Sequence, residues 1–192
     1  TGLAVPAADL QRIADTIPGV LLVDEAYGDF AEENAMALAR SRRNVLVMRT
    51  LSKSYSLAGL RFGYFVGSRE LIDGLMKVKD SYNCDTLSIV GARAALEDQA
   101  WMRTNVERIR SERARVTREL RELGFTVLDS STNFVMARPP SGDARSFYEK
   151  LKQRHILVRY FNRPRIDEYV RITVGTPEEN SKMLAEATRL LS

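Results

Sequence analysis

The chain has 192 residues, 44% hydrophobic and 28% charged, with a formal net charge of +4 from 29 Lys+Arg against 25 Asp+Glu. The apolar share argues against a disordered chain, and the length suits one domain or one and a half. A single cysteine (Cys84) and a single histidine (His155) exclude an intrachain disulfide framework and a Cys/His metal cluster.

In chain order, Ala8 to Ile17 reads as a helix, with Leu10, Ile13, Ala14 and Ile17 at helical spacing and Pro18-Gly19 ending it. Val20-Leu21-Leu22-Val23 is a continuous apolar run, expected as a strand buried on both faces. Like every other solid apolar stretch of the chain, it is far too short to span a bilayer, so no membrane partner is expected. A short helix is expected over 31–41, a second buried strand at Val45–Met48 and a third at Phe62–Gly67. Strand, helix and strand in this order predict a parallel α/β layer. Beyond residue 80 two long helical patterns cover 86–97 and 101–123, and Gly124 is a plausible stop. Strands follow at Thr126–Leu128 and Asn133–Ala137, a helix at Ala144–Gln153, and strands at Ile156–Arg159 and Tyr169–Val174. The last helix opens on Thr176-Pro177-Glu178-Glu179, a capping box with Pro in the first turn.

The basic excess is concentrated in helices such as Arg103–Arg121, where Glu107, Glu112, Glu119 and Glu122 interleave at helical spacings. That pattern reads as a solvated face with internal ion pairs. No aromatic residues interleave with these arginines, so a nucleic-acid surface is not expected.

The informative stretch is Asp24 to Arg61. An acidic residue closes one buried strand and a Ser-Lys pair follows the next; ligands of open α/β sheets bind at such carboxyl ends. Singly, each residue has a blander reading: Asp24 as a helix or turn cap, Lys53 and Arg61 as surface charges, Tyr27 as packing, Ser52 as a turn former. Together they match one chemistry. A partly desolvated lysine amine forms a Schiff base with an aldehyde, and a carboxylate keeps a pyridine nitrogen protonated so that the ring accepts electrons. A tyrosine hydroxyl suits a phenolic oxygen, and a serine hydroxyl with an arginine fork suits a phosphate. These are the requirements of pyridoxal 5'-phosphate.

Val23-Asp24-Glu25-Ala26-Tyr27 with Thr50-Leu51-Ser52-Lys53-Ser54-Tyr55-Ser56-Leu57-Ala58-Gly59-Leu60-Arg61-Phe62-Gly63-Tyr64 resembles the fold-type-I, pyridoxal-phosphate-dependent aminotransferases. The resemblance continues through Ser131-Thr132-Asn133-Phe134, Ile156–Arg159 and Val170–Asn180, and is nearest to the histidinol-phosphate aminotransferase subgroup. It implies Lys53 as the catalytic, cofactor-linked lysine, Asp24 on the pyridinium nitrogen and Tyr27 on the ring's O3′. Ser52 and Arg61 would hold the cofactor phosphate, with Thr50 a weaker candidate. Arg171 would grip the substrate's anionic group, a carboxylate or the phosphate of histidinol phosphate, with Arg159 as second anchor. Asn133 and His155 are read as structural.

The resemblance further implies a fold class: the end of an α/β large domain (mostly parallel sheet with helices) followed by a small α+β domain. The expected organisation is 1–82 as the C-terminal part of the cofactor-binding domain, 83–110 as connecting helices and 111–192 as the small domain. Its opening at Thr1-Gly2 resembles the end of the family motif Asn-Pro-x-x-Pro-Thr-Gly, so the chain is expected to be the C-terminal part of a longer enzyme. The expected partners are an amino donor and a 2-oxo acid such as 2-oxoglutarate, in a cytoplasmic homodimer. Weak cofactor affinity and negligible turnover are expected of this part alone. The rival expectations are an aromatic aminotransferase, a related phosphate-substrate decarboxylase, and a non-catalytic remnant that self-associates.

Overall fold

A computed structural model describes residues 1–191. The chain divides into two compact units, Ala4–Val106, and Thr1–Leu3 with Glu107 onward.

In the first unit α1 (Ala7–Thr16) leads into β1 (Leu21–Asp24), and α2 (Met36–Ser41) into β2 (Val45–Thr50). β3 (Gly63–Gly67), α3 (Arg69–Val78) and α4 (Thr86–Glu97) follow. The sheet order is β1-β2-β3. β1 and β2 are parallel, with Leu21 opposite Val45 and Asp24 opposite Met48, as the crossover through α2 requires. β3 departs from the expected parallel layer. It runs antiparallel to β2, pairing Thr50 with Gly63, because the connection from Leu51 to Phe62 is a loop with one 3₁₀ turn and no crossover helix. A Cβ on Gly63 would lie 2.8 Å from the Arg49 carbonyl oxygen, so only glycine fits that close approach.

The core of this unit forms on one face of the sheet. Val45 and Val47, with Leu21, Val23 and Val66, pack on Ala14 of α1 and on Ala35, Leu38 and Ala39 in and beside α2. The expectation that β1 is buried on both faces is corrected: it is an edge strand, and Leu22 on its other face is 53% exposed. Helix α3, not foreseen from the sequence, is capped by Ser68 accepting from Leu71 N. Asp85 caps α4 by accepting from Ser88 N, and the Ser88 hydroxyl first, then this N–H, hold the Asp85 carboxyl below its usual range.

The long helix α5 (Gln99–Glu122) reaches into the second unit, which then runs β4 (Thr126–Val127), β5 (Phe134–Arg138), α6 (Ala144–Gln153), β6 (Arg159–Tyr160), β7 (Val170–Thr173) and α7 (Pro177–Leu191). The sheet order is β4-β5-β7-β6, antiparallel throughout. Val116 and Leu120 of α5, Val135 and Ala137 of β5, Phe147 and Leu151 of α6, and Met183 and Leu184 of α7 build its core. Gly124, at φ +85°, stops α5: Phe125 N donates to Leu120 O, and Gly124 N to Arg121 O. Thr176 N donates to Glu179 Oε2 and Glu179 N to Thr176 Oγ1, the reciprocal capping box expected at α7. The strand expected at Ile156–Arg159 begins at Arg159 instead. His155 takes a left-handed conformation (φ +60°) that ends α6, and Leu157 stays 80% exposed. The interleaved charges of α5 do pair internally: Arg115 bonds Glu112 and Glu119.

Candidate active site

In the first unit the two parallel strands end side by side, β1 at Asp24 and β2 at Thr50. The chain beyond each end carries the expected residues. Asp24 is exposed, and its Oδ1 accepts from Ala26 N at 3.0 Å, which turns the chain toward Tyr27. Beyond β2 the half-buried Lys53 places its Nζ 5.4 Å from the centroid of the Tyr27 ring. Ser52 N donates to the Thr50 hydroxyl at 3.2 Å, and that hydroxyl lies 3.0 Å from Ser52 Oγ. Thr50, ranked as a weak ligand, thus orients Ser52.

Arg61 ends the 3₁₀ turn Ala58–Leu60 in a left-handed conformation (φ +52°). It is exposed, and its Nη1 donates to Ala58 O at 3.1 Å. A non-glycine residue in that region carries backbone strain of about 1 kcal/mol, which the surrounding loop must hold. The structure therefore gathers Tyr27 with Lys53 and Thr50 with Ser52, between the ends of two neighbouring strands, and records Arg61 on its own turn.

Sequence reasoning passed over the polar network behind these loops. Arg49 and Glu25 have side chains only 8% exposed and are paired at 2.6 Å; Arg49 also bonds Asp29, at 2.5 Å. The signal was present: an arginine directly follows the buried run Val45–Met48 within the same strand, and a buried guanidinium demands a carboxylate partner. Tyr64, opposite Arg49 across β2 and β3, has its phenol pushed above the usual value by burial, which Arg49 partly offsets.

In the second unit Arg159 and Arg171 are cross-strand partners on β6 and β7. Arg171 lies 5.1 Å from the Phe134 ring and 5.8 Å from the Phe161 ring, and Arg159 lies 5.4 Å from Phe161. Like charges directly opposite one another are unfavourable. Yet neither guanidinium has an ion-pair partner among the described residues, and Arg171 Nε is buried without a hydrogen bond. Two unneutralised forks braced by aromatic faces are suited to an anion. Asn133, expected to be structural, accepts from Val174 N through its backbone oxygen. Among the described residues no cluster of potential ligands is able to hold a metal ion, and no helix is long and apolar enough to cross a membrane.

Comparison with known proteins assigns a family. The model of aminotransferase class I and II matches residues 1–187. A protein of Nostoc sp. named histidinol-phosphate aminotransferase 1 is 47% identical over 191 residues, covering the whole of this chain and 54% of that protein. One of Burkholderia mallei, histidinol-phosphate aminotransferase 2, is 44% identical, with 100% of this chain and 55% of that protein covered. Among solved structures, histidinol-phosphate aminotransferase from Sinorhizobium meliloti, in complex with pyridoxal-5'-phosphate, superposes with a TM-score of 0.90 at 27% identity, over 100% of this chain and 54% of that one. The chain spans about half the length of the curated relatives it matches. With the strand-end lysine, its tyrosine and the aspartate in place, the match along nearly the whole length identifies the chain as a member of the aminotransferase class I and II family.

Proposed function

We propose that the chain supplies the reactive lysine and the substrate-anchoring arginines of a pyridoxal-phosphate-dependent aminotransferase acting on histidinol phosphate with 2-oxoglutarate, in histidine biosynthesis. The observation that carries this reading is the meeting of Lys53 Nζ with the Tyr27 ring, beside Asp24 and Ser52, at the carboxyl ends of two parallel strands. The relatives' names support the substrate.

The donor set fits the cofactor group by group. Asp24 presents a carboxylate to a protonated pyridine nitrogen, and its bond from Ala26 N fixes one oxygen. Tyr27 offers a hydroxyl to the ring's phenolic oxygen. Ser52, oriented by Thr50, and Arg61 offer a hydroxyl and a fork to the phosphate. When bound, pyridoxal phosphate supplies an electron sink for the pair released at the substrate's Cα. Lys53 Nζ holds and moves the proton at that carbon, and its half-buried position limits competing hydration. Arg171 and Arg159 bind the substrate's carboxylate or phosphate.

In this reading residues 1–82 are the end of the cofactor-binding domain, 83–110 connecting helices and 111–192 the small domain, in a cytoplasmic homodimer. Exposed Leu22 and Phe65 on the first unit's sheet support coverage by further protein. The experiment is a titration of pyridoxal phosphate into the wild-type chain and Lys53→Ala, followed by visible absorbance. A saturable change in the wild type and only a weak, non-saturating one from the remaining lysines in the variant is expected; identical titrations would contradict the proposal.

A further inference from the structure

We infer that Arg49, Glu25, Asp29 and Ser54 form a buried relay that positions Lys53 against the Asp24–Tyr27 turn; the inference rests on the proposed role of Lys53. The relay joins the two loops of the site from behind. Arg49 Nε donates to Glu25 Oε2 at 2.9 Å, and Glu25 directly follows Asp24. Arg49 Nη1 donates to Asp29 Oδ1 at 2.5 Å, and Asp29 lies two residues beyond Tyr27. Asp29 Oδ2 then accepts from Ser54 Oγ at 2.5 Å, and Ser54, 3% exposed, directly follows Lys53.

The remaining Glu25 oxygen accepts from Ala35 N, so both carboxylates are bonded through both oxygens. A network satisfied to that degree is rigid. Gly28 belongs to the same device. A Cβ there would lie 3.0 Å from Glu25 Cβ and 3.1 Å from its Oε2, so the turn between Tyr27 and Asp29 closes tightly over the carboxylate.

Stability alone is a poor account of these charges. A buried ion pair replaced by well-packed apolar residues is often as stable or more so, whereas the charges fix one arrangement. Here the arrangement fixed is the separation of two loops whose next residues are Asp24 and Lys53. Arg49, Glu25, Asp29 and Ser54 touch neither cofactor nor substrate in this account; they are positioning residues.

The test compares wild type, Ser54→Ala, Ser54→Thr and Arg49→Lys. Each chain is incubated with pyridoxal phosphate, reduced with borohydride, and its adduct mapped by mass spectrometry, with Lys77, Lys79, Lys150, Lys152 and Lys182 as internal references. Cofactor-induced circular dichroism is read before reduction, and urea midpoints establish that each variant is folded. The relay predicts that Ser54→Ala, folded, lowers the Lys53 share of the adduct about tenfold and weakens the dichroic signal, since small misplacements of a reacting group carry large rate penalties. Ser54→Thr, which keeps the hydroxyl, restores both. Arg49→Lys, which keeps the charge but loses the fork, behaves as Ser54→Ala. Should Arg49→Lys fail to fold, the two Ser54 variants carry the test. Wild-type selectivity and dichroism in a folded Ser54→Ala would overturn the relay. No preference for Lys53 in the wild type itself would instead overturn the proposed role of that lysine.

Discussion

At the scale of single residues, the chain separates two kinds of arginine. Arg42, Arg49, Arg115 and Arg154 face carboxylates of the same chain, whereas Arg159 and Arg171 stand opposite each other with aromatic rings as their neighbours. The second kind is suited to an external anion. Replacing Arg171 with Lys keeps the charge and removes the planar fork. Calorimetric titration with histidinol phosphate is expected to show affinity reduced about tenfold or more, since charge-assisted hydrogen bonds contribute about 1.5–3 kcal/mol. Unchanged affinity would remove Arg171 from the anchor. Asp24, Tyr27, Ser52, Lys53 and Arg61 stand out in the sequence because they follow apolar runs, and the structure sets Lys53 against Tyr27 and leaves Arg61 on its own turn. The relay was less legible: Glu25 and Asp29 look like ordinary turn residues until the partner of a mid-strand arginine is sought.

At the scale of elements, local signals were read where the backbone states its own ends. Thr176 and Glu179 form the expected box, and Gly124 the expected stop. The antiparallel direction of β3 was not legible, because a buried strand's apolar pattern is the same in either direction and only its connection decides. Helix α3 was not legible because Gly74 interrupts the spacing of Leu71, Ile72 and Leu75 beyond the cap at Ser68. The docking of α7 on α5 is carried by polar groups as well as by the core. Glu112 Oε2 accepts from Asn180 Nδ2 at 2.8 Å and from Arg115 Nη2 at 2.7 Å. These bonds, Arg115 first, hold the Glu112 carboxyl below its usual value. A carboxylate depressed in the folded state contributes stability above its unfolded pKa, and loses it as pH falls through the folded one. Glu112→Gln is therefore expected to lower the unfolding midpoint at neutral pH and to flatten its decline on acidification. A decline in Glu112→Gln as steep as in the wild type would contradict this.

At the scale of the whole molecule, the first unit carries Lys53 beside Tyr27 and the second carries Arg159 opposite Arg171, the groups to which the proposed account gives the amine chemistry and the anion binding. Each has its own core, built on a mixed three-stranded and an antiparallel four-stranded sheet respectively. The first unit leaves Leu22, Phe65, Ile89 and Val90 at the surface. Apolar exposure on that scale accords with a chain that spans about half the length of its relatives. What the whole molecule does in the proposed account depends first on one side chain. The most direct measurement is borohydride reduction of the wild-type chain with pyridoxal phosphate, followed by peptide mapping of the adduct. The account predicts a pyridoxyl group on Lys53 in clear excess over every other lysine; an adduct spread evenly among the lysines, or centred on another, would contradict it.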